Sequence, residues 1–305
     1  MFIKSSRRAF PLVLLALSTV WAAASLAAAK NPPANSSQKK DKKEPALHWD
    51  PPQVDAPVPF LSATAPCPLP DVLEQAGQRA EELVDHLQNF NAHEQISYEQ
   101  TDRFGMPEMS IDAKFDYLVD FGEQSKVFKV HETRTPLAGT DTEHIPDIVD
   151  TGLPALALIF YPALQSDYEM RCEGFAQWKN QPAWVVYFRQ TKGKRPRTLR
   201  IGTPTKVYPV SLKGRAWIAA DSGRVMHLEI NLVEGIPMIE LQADAVSVDY
   251  APVKFQSQDV EIWLPQSAVV YTDFGKRRLI IQHTFSDFKL FSVQVQQVIQ
   301  KPKEP

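Results

Sequence analysis

Two histidine–glutamate pairs are the places in this sequence where metal chemistry would first be expected. His93-Glu94 and His131-Glu132 each begin like the zinc-protease motif, in which a second histidine follows four positions after the first. Residues 97 and 135 are serine and threonine, so neither pair completes the motif. The chain also contains no nucleophile elbow, phosphate-binding loop or dinucleotide fingerprint. We therefore predict no enzyme, no catalytic residue, no metal and no cofactor; an envelope hydrolase is an alternative that no motif supports.

The two cysteines, Cys67 and Cys172, are the other residues whose chemistry could be informative. Their spacing is too long for a CxxC redox or zinc pair. Two cysteines in an exported protein more often form a disulfide, and we predict one here, joining the start of the first helix to a strand. Two separate buried thiols are the alternative.

Charge and composition exclude several classes of protein. The chain has 33 Lys and Arg against 36 Asp and Glu, and it is 44% hydrophobic, which is typical of a globular protein. A net charge of -3 argues against wholesale nucleic-acid binding. One loop nevertheless concentrates positive charge and could contact lipid phosphates or an acidic partner, although a solvated basic loop is the alternative. Its residues are Lys192, Lys194, Arg195, Arg197 and Arg200.

The N-terminal part of the chain has the features of an export signal followed by a linker. Basic residues precede the apolar run Phe10–Leu26, and small residues follow it, so we predict a cleaved signal peptide at 1–29 and a periplasmic or secreted protein. Cleavage after Ala29 is preferred to cleavage near Ala28, and an uncleaved membrane anchor is an alternative. Sec export is the default, although Ser6–Phe10 resembles a twin-arginine signal. Residues 30–66 are rich in proline and lysine and predict a disordered linker, which leaves 67–305 as a single domain.

Periodicity in the remaining sequence predicts one clear helix and many strands. An apolar stripe with three- and four-residue spacing predicts a helix over Asp71–Asn89, capped by Asp71. Alternation over Met109–Phe121 predicts a half-buried strand that pairs with Gln95–Phe104 and with Lys126–Arg134. The apolar stretch Gly152–Leu164 predicts a buried or cavity-covering helix. Further strands are predicted at Met170–Trp178, Ala183–Gln190, Leu212–Ala219, Arg224–Leu232, Met238–Tyr250, Val260–Leu264, Ala268–Phe274 and Arg278–Phe285.

This order of elements indicates an α+β fold with a large curved antiparallel sheet. Most aromatic residues fall in its strands or in the apolar helix, where the ordinary expectation is a filled core. A curved sheet crossed by helices can instead leave an apolar cavity suited to an acyl chain. The candidates for lining such a cavity are Phe115, Tyr117, Leu156, Phe160, Trp178 and Trp184.

Three stretches of the chain resemble a known superfamily. The first is a helix leading into a strand, Val72–Ala76 to Ser97-Tyr98. The second is a helix followed by a hairpin, Gly174–Trp178 with Ala183–Phe188. The third is two strands joined by a tight turn, Leu212–Ile218 with Asp221–Val225. In this organisation the chain resembles the periplasmic lipoprotein-carrier superfamily, which includes outer-membrane lipoprotein carriers and the N-terminal domain of the sigma-E regulatory sensor. The resemblance implies an unclosed half-barrel whose hollow face is covered by helices and which binds lipid chains without catalysis.

The leading hypothesis is therefore an exported, non-enzymatic protein that binds a lipid or an acylated protein in an apolar cavity, with peripheral membrane contact at most. An envelope sensing or protein-interaction domain, acting through its sheet edge or its basic loop, is the alternative. A continuous cavity larger than roughly 300 Å³ would favour the first hypothesis, and a filled core would favour the second.

Overall fold

Long antiparallel strands make up most of this computed structural model, which describes residues 47–58, 61–62, 66–86, 89–124, 127–146, 148–194, 198–203, 205–255 and 260–290. Sequences that alternate between apolar and polar residues favour strands with one buried face. The strands are β1 Asn89–Asp102, β2 Pro107–Gln124, β3 Val127–Pro136, β4 Val149–Thr151, β5 Tyr168–Trp178, β6 Gln181–Gln190, β7 Arg200–Thr203, β8 Lys206–Pro209, β9 Leu212–Ala219, β10 Val225–Leu232, β11 Leu241–Phe255, β12 Val260–Phe274 and β13 Arg277–Leu290.

Ten of these strands form one sheet in the order β3-β2-β1-β13-β12-β11-β10-β9-β6-β5. Its terminal strands β3 and β5 do not pair with each other in the described part of the chain, so the sheet is an unclosed half-barrel. The predicted fold class is confirmed, as is the pairing of β2 with both β1 and β3. The small sheet β4-β7-β8 was not predicted from the sequence.

The first helix, α1, spans Leu69–His86 and begins two residues before the predicted cap at Asp71. The Val72 amide donates a hydrogen bond to the carbonyl of Pro68, which already closes the first turn. Pro70 is compatible with this position because the first turn of a helix needs no amide hydrogen from it. The helix therefore starts inside the proline-containing segment.

The apolar stretch after β4 forms two short helices instead of the one that was predicted. A 3-10 helix covers Leu153–Phe160, and α2 covers Pro162–Gln165. Tyr161 between them has φ -60° and ψ 130°, which is extended backbone. Proline disfavours the helical region for the residue before it, so Pro162 explains the break at Tyr161.

Two further predictions about local structure were wrong. Gly174–Trp178, taken as a helix in the superfamily resemblance, belongs to strand β5. The two strands expected at Val260–Leu264 and Ala268–Phe274 form the single strand β12. Pro265 lies where the register between β11 and β12 shifts, and a bulge accepts a proline because the regular ladder is interrupted there.

Residues 47–58, which we call the N-terminal strap, cross the outer face of the sheet. The sequence analysis places them in the disordered linker, yet they make contacts from β1 to β6. The Leu47 amide donates to Glu99 on β1, the Trp49 ring meets Tyr271 on β12 edge-on, and Asp55 contacts Lys213 on β9. Beyond the strap, Ser62 bridges to β5 at Phe175, and the predicted disulfide between Cys67 and Cys172 is confirmed.

Candidate functional site

The hollow face of the sheet is largely filled by the side chains of the protein itself. All eight residues of the 3-10 helix Leu153–Phe160 are buried. Four of the predicted cavity residues, Phe115, Tyr117, Leu156 and Phe160, lie in this core with almost no exposed surface. Phe160 packs edge-on against Phe188 at 6.1 Å between ring centroids. These four residues are thus core residues of the hollow.

A cavity of about 90 Å³ lies between α1 and strands β11 and β12. Its size is well below the roughly 300 Å³ of a typical small-molecule pocket. None of the six predicted cavity residues lines it. Apolar side chains form most of its wall: Ala76, Ala80, Leu83, Ala157, Val225, Tyr250, Val260, Ile262 and Trp263.

Polar groups occupy both the wall and the rim of this cavity. The Tyr250 hydroxyl is buried near the Ala157 backbone and has no hydrogen-bond partner of normal geometry in the described residues. Burial raises the pKa of Tyr250, so the hydroxyl stays protonated and can donate a hydrogen bond. At the rim, Arg79 donates to the carbonyl of Ser222 and pairs with Glu82. Arg224 lies beside them, so a cation and an apolar space adjoin.

A charged cluster is buried elsewhere on the hollow face, across β1, β3 and β13. Glu94 is 1% exposed, and its carboxylate accepts two hydrogen bonds from Arg134, at 2.6 Å and 3.0 Å. His283 Nδ1 lies 2.9 Å from the same carboxylate. Burial alone would raise the pKa of Glu94, but the charge of Arg134 and the hydrogen bond with His283 outweigh it and lower the pKa to about 2.

The other members of this cluster surround the Arg134 guanidinium. It lies 4.6 Å from the centre of the Tyr117 ring and 3.5 Å from the Glu132 carboxylate. The second oxygen of Glu132 accepts a hydrogen bond from the Gly152 amide just before the 3-10 helix. The charged cluster therefore fixes the position of the 3-10 helix against β3, and the two glutamates of the incomplete zinc motifs serve as partners of an arginine.

The two tryptophans among the predicted cavity residues lie on opposite faces of the sheet. Trp184 faces the hollow and packs against Phe175 with ring centroids 4.9 Å apart. Trp178 lies on the outer face, stacked on His227 at 3.8 Å and tilted against Trp217 at 5.3 Å. A register irregularity between Cys172 and Gly174 on β5 changes which residues face the hollow, and simple alternation could not reveal it.

His227 itself is buried beneath Trp178 and bonded to a carboxylate. Its Nδ1 lies 2.8 Å from Asp249 on the neighbouring strand. Burial would lower the pKa of His227, but the hydrogen bonds with Asp249 and Glu229 raise it above its usual value. This arrangement anchors the aromatic group on the outer face, and sequence reasoning did not single it out.

The predicted basic loop is only partly described, because Arg195 and Arg197 lie outside the described residues. Lys192 and Arg200 are exposed. Lys194 forms an ion pair with Asp167 at 3.1 Å, so part of its charge is compensated within the fold. A role for this loop in binding a headgroup or a partner stays a prediction.

Three large apolar side chains are exposed at one end of the sheet. Phe104 and Met106, in the β1–β2 turn, are 92% and 65% exposed, and Met238, in the loop before β11, is 73% exposed. Arg103 in the β1–β2 turn donates to the carbonyl of Gly275 in the β12–β13 turn, and the Gly275 amide donates to the carbonyl of Glu240 just before β11. An open groove of about 830 Å³ lies between them. Sequence analysis missed this surface because it depends on which turns become neighbours.

The described residues show neither a metal-binding group nor a membrane-spanning helix. They contain no group of three or more histidine, cysteine, aspartate or glutamate side chains arranged to hold a metal ion. They also contain no helix of the length and apolar character needed to cross a membrane.

Comparison with known proteins shows only distant likenesses. No protein-family model and no curated protein matches the chain. A DUF1329 family protein from Desulfovibrio piger is 10% identical, with 77% of this chain and 96% of that chain covered and a TM-score of 0.39. A putative outer membrane lipoprotein-sorting protein domain from Vibrio parahaemolyticus is 10% identical, with 74% and 94% covered and a TM-score of 0.41.

The Mycobacterium tuberculosis lipoprotein LppX is 11% identical, with 74% of this chain and 99% of that chain covered and a TM-score of 0.22. These identities and TM-scores are too low to assign this chain to the family of any of these proteins. Because the likenesses are this distant, the functional conclusions below rest on the residues of this chain.

Proposed function

We propose that this protein is an exported, non-enzymatic binding protein that admits the end of an acyl chain beneath α1. The observation that carries the proposal is the apolar cavity between α1 and the β11–β12 strands, which lies among buried core residues of the hollow. The Tyr250 hydroxyl offers a hydrogen bond inside it, and Arg224 offers a cation at its rim beside the Arg79–Glu82 ion pair and Glu261. These groups suit a ligand with an apolar chain and an oxygen-rich head.

The size of the cavity limits what the closed form can hold. About 90 Å³ accommodates a short apolar segment, and a longer chain requires α1 to move away from the sheet. Ala76, Ala80 and Leu83 are the apolar α1 residues at the cavity wall, and the two alanine side chains bury little apolar area. Burial of apolar surface stabilises by about 25 cal/mol per Å². The free energy needed to move this part of α1 away from the sheet is therefore smaller than it would be for a leucine-rich contact. We therefore propose α1 as the lid of the cavity.

Filling the cavity is expected to weaken acyl binding. Ala80→Met places a longer side chain in the space, so the affinity for a fluorescent fatty acid should fall by about tenfold. Gln78→Met is the matched control, because Gln78 lies on the exposed face of the same helix, and its affinity should equal that of the wild type. Native mass spectrometry and displacement titrations provide the measurements. Absence of saturable binding by the folded wild-type protein would exclude the proposal.

A second candidate function is protein interaction, and the exposed residues Phe104, Met106 and Met238 favour it. Large apolar side chains exposed together commonly mark interaction sites. The cavity is also smaller than the size that the sequence analysis set for a preformed acyl site. In this interpretation, the end of the sheet around the 830 Å³ groove contacts an envelope protein.

A photoreactive phenylalanine analogue at position 104 tests the second candidate in intact cells. We expect a discrete cross-linked protein that disappears when Met238 is changed to serine, because positions 104 and 238 each directly follow a residue that lines the groove, Arg103 and Pro237. Asp221, an exposed residue in the β9–β10 turn, is the control position and should give no such product. Equal cross-linking from positions 104 and 221 would contradict a specific interface.

A further inference from the structure

Side chains from the two neighbouring strands β9 and β10 converge on the main chain of the N-terminal strap. Asn231 on β10 is bonded twice: its amide oxygen accepts from the Val54 amide at 3.3 Å, and its amide nitrogen donates to the Pro52 carbonyl at 3.1 Å. Arg215 on β9 donates to the carbonyls of Gln53 and Ala56. These contacts recognise an extended backbone whatever side chains it carries.

Two side chains of the strap are recognised as well. The Asp55 carboxylate accepts hydrogen bonds from Lys213 on β9 and from the Tyr187 hydroxyl on β6, the latter at 3.2 Å. The hydrogen bond from Lys213 keeps the pKa of Asp55 below its usual range. Val54, by contrast, is 1% exposed and is the one buried apolar residue of the strap. The surface thus selects an apolar residue followed by an acidic one.

The remaining strap residues contribute little to this recognition. Five of them are exposed to solvent: His48, Asp50, Gln53, Ala56 and Pro57. Main-chain hydrogen bonds supply affinity and pockets for individual side chains supply specificity in peptide-binding proteins. The outer face of β6, β9 and β10 has both features, and a proline-containing segment loses less conformational entropy when it binds.

We propose that the outer face of β6, β9 and β10 is a peptide-binding groove for an extended segment of a partner protein. The segment carries an apolar residue followed by an acidic one after proline, and the strap is the groove's resident occupant. Positive charge in the groove favours an acidic partner segment, since the charges of Lys213 and Arg189 both lower the pKa of the Asp55 carboxyl group. The groove lies on the opposite face from the cavity, so the acyl-binding and peptide-binding experiments have independent outcomes.

The strap and a partner segment compete for the same groove. A tethered segment acts at an effective concentration of about millimolar, so it masks the groove from a free peptide. Weakening the strap raises the fraction of open grooves, and the apparent affinity for a free peptide rises by the same factor. Asp55→Ala removes the contacts with Lys213 and Tyr187 from an exposed residue, and Val54→Ser with Asp55→Ser also removes the buried anchor.

The probe is a fluorescent peptide with the sequence of residues 47–58, titrated by anisotropy into the full-length variants. We expect Asp55→Ala to bind it about tenfold more tightly than the wild type does, and the double variant to bind it more tightly still. Adding Asn231→Leu to either variant should abolish the gain. A peptide with serine at positions 54 and 55 is the control and should not compete.

Circular dichroism and thermal unfolding establish that each variant is folded, and Asp55→Ala keeps the test informative if the double variant is not. Unchanged anisotropy with folded Asp55→Ala would overturn the proposal and make the strap a permanent part of the fold. Peptide binding that survives Asn231→Leu would overturn it as well, because the groove would then not be the site.

Discussion

Replacing Arg134 by leucine is expected to lower the free energy of unfolding by about 3–5 kcal/mol, the usual effect of removing one partner of a buried ion pair. The Glu94 side chain is fully buried and depends on Arg134 for two hydrogen bonds. Without the guanidinium, the buried Glu94 carboxylate would keep only its hydrogen bond with His283, and Glu132 would lose its cation. Urea unfolding at neutral pH, followed by circular dichroism, measures the loss.

The double variant Glu94→Leu with Arg134→Leu is the informative control. Replacing both members of a buried pair by apolar residues is often neutral or stabilising, so we expect it to recover a large part of the lost stability. A single Arg134→Leu variant as stable as the wild type would mean that Glu94 is hydrated or protonated in the folded protein.

The same pair makes stability depend on pH in a direction that follows from the pKa of Glu94. The folded pKa of about 2 lies below the model-peptide value of 4.5, so the unfolded chain binds a proton more readily. The resulting stabilisation, about 3 kcal/mol, is fully present above pH 4.5 and is lost as the pH falls toward 2. The wild type should therefore lose stability between these pH values more steeply than the double leucine variant does.

The sequence predicted the sheet well because strand periodicity is a local property. In β2, Ala113, Tyr117 and Val119 are buried as the alternation over Met109–Phe121 predicts. The turns at Gly105 and Gly223 have positive φ, which glycine adopts at little cost, and they set the hairpins. Most neighbouring strands of the sheet follow from these local rules and from short connections, whereas the pairings of β1 with β13 and of β6 with β9 join strands that are not consecutive in the chain.

The charged cluster could not be assembled from the sequence, because its members lie on strands far apart in the chain. Glu94 and Arg134 are separated by 40 residues, and Glu94 and His283 by 189. A partial signal was present: Glu94 falls between Ala92 and Ile96 on the buried side of β1. A charge on the apolar side of an alternating strand needs a partner, and this signal indicates a buried ion pair better than an incomplete metal motif does.

The strap shows where reasoning from composition fails. Its prolines and charges predict disorder because the segment cannot bury much apolar area of its own. Its contacts come from Asn231, which lies 177 residues away from Val54, and from other side chains already fixed on a rigid sheet. A prearranged surface reduces the entropy cost of ordering an extended segment, and composition alone gives no sign of such a surface.

Removing the disulfide is expected to have an effect as large as that of breaking the buried ion pair. Cys67 and Cys172 are separated by 105 residues, and closing a loop of that length stabilises a fold by about 4–5 kcal/mol in the chain-entropy model. The Cys67→Ala, Cys172→Ala double variant should therefore unfold at a clearly lower urea concentration than the oxidised wild type. The reduced wild type should behave like the double variant, because both lack the same cross-link.

The position of the disulfide adds an effect on ligand access. It ties the segment just before α1 to the edge strand β5, and α1 forms the lid of the cavity. Releasing this end lowers the free energy of displacing α1, so association of a fatty acid should be faster in the double alanine variant than in the oxidised wild type. Gln78→Met, which leaves the disulfide intact, should not change the association rate. Equal association rates with and without the disulfide would show that chains enter without movement at the cysteine end of α1.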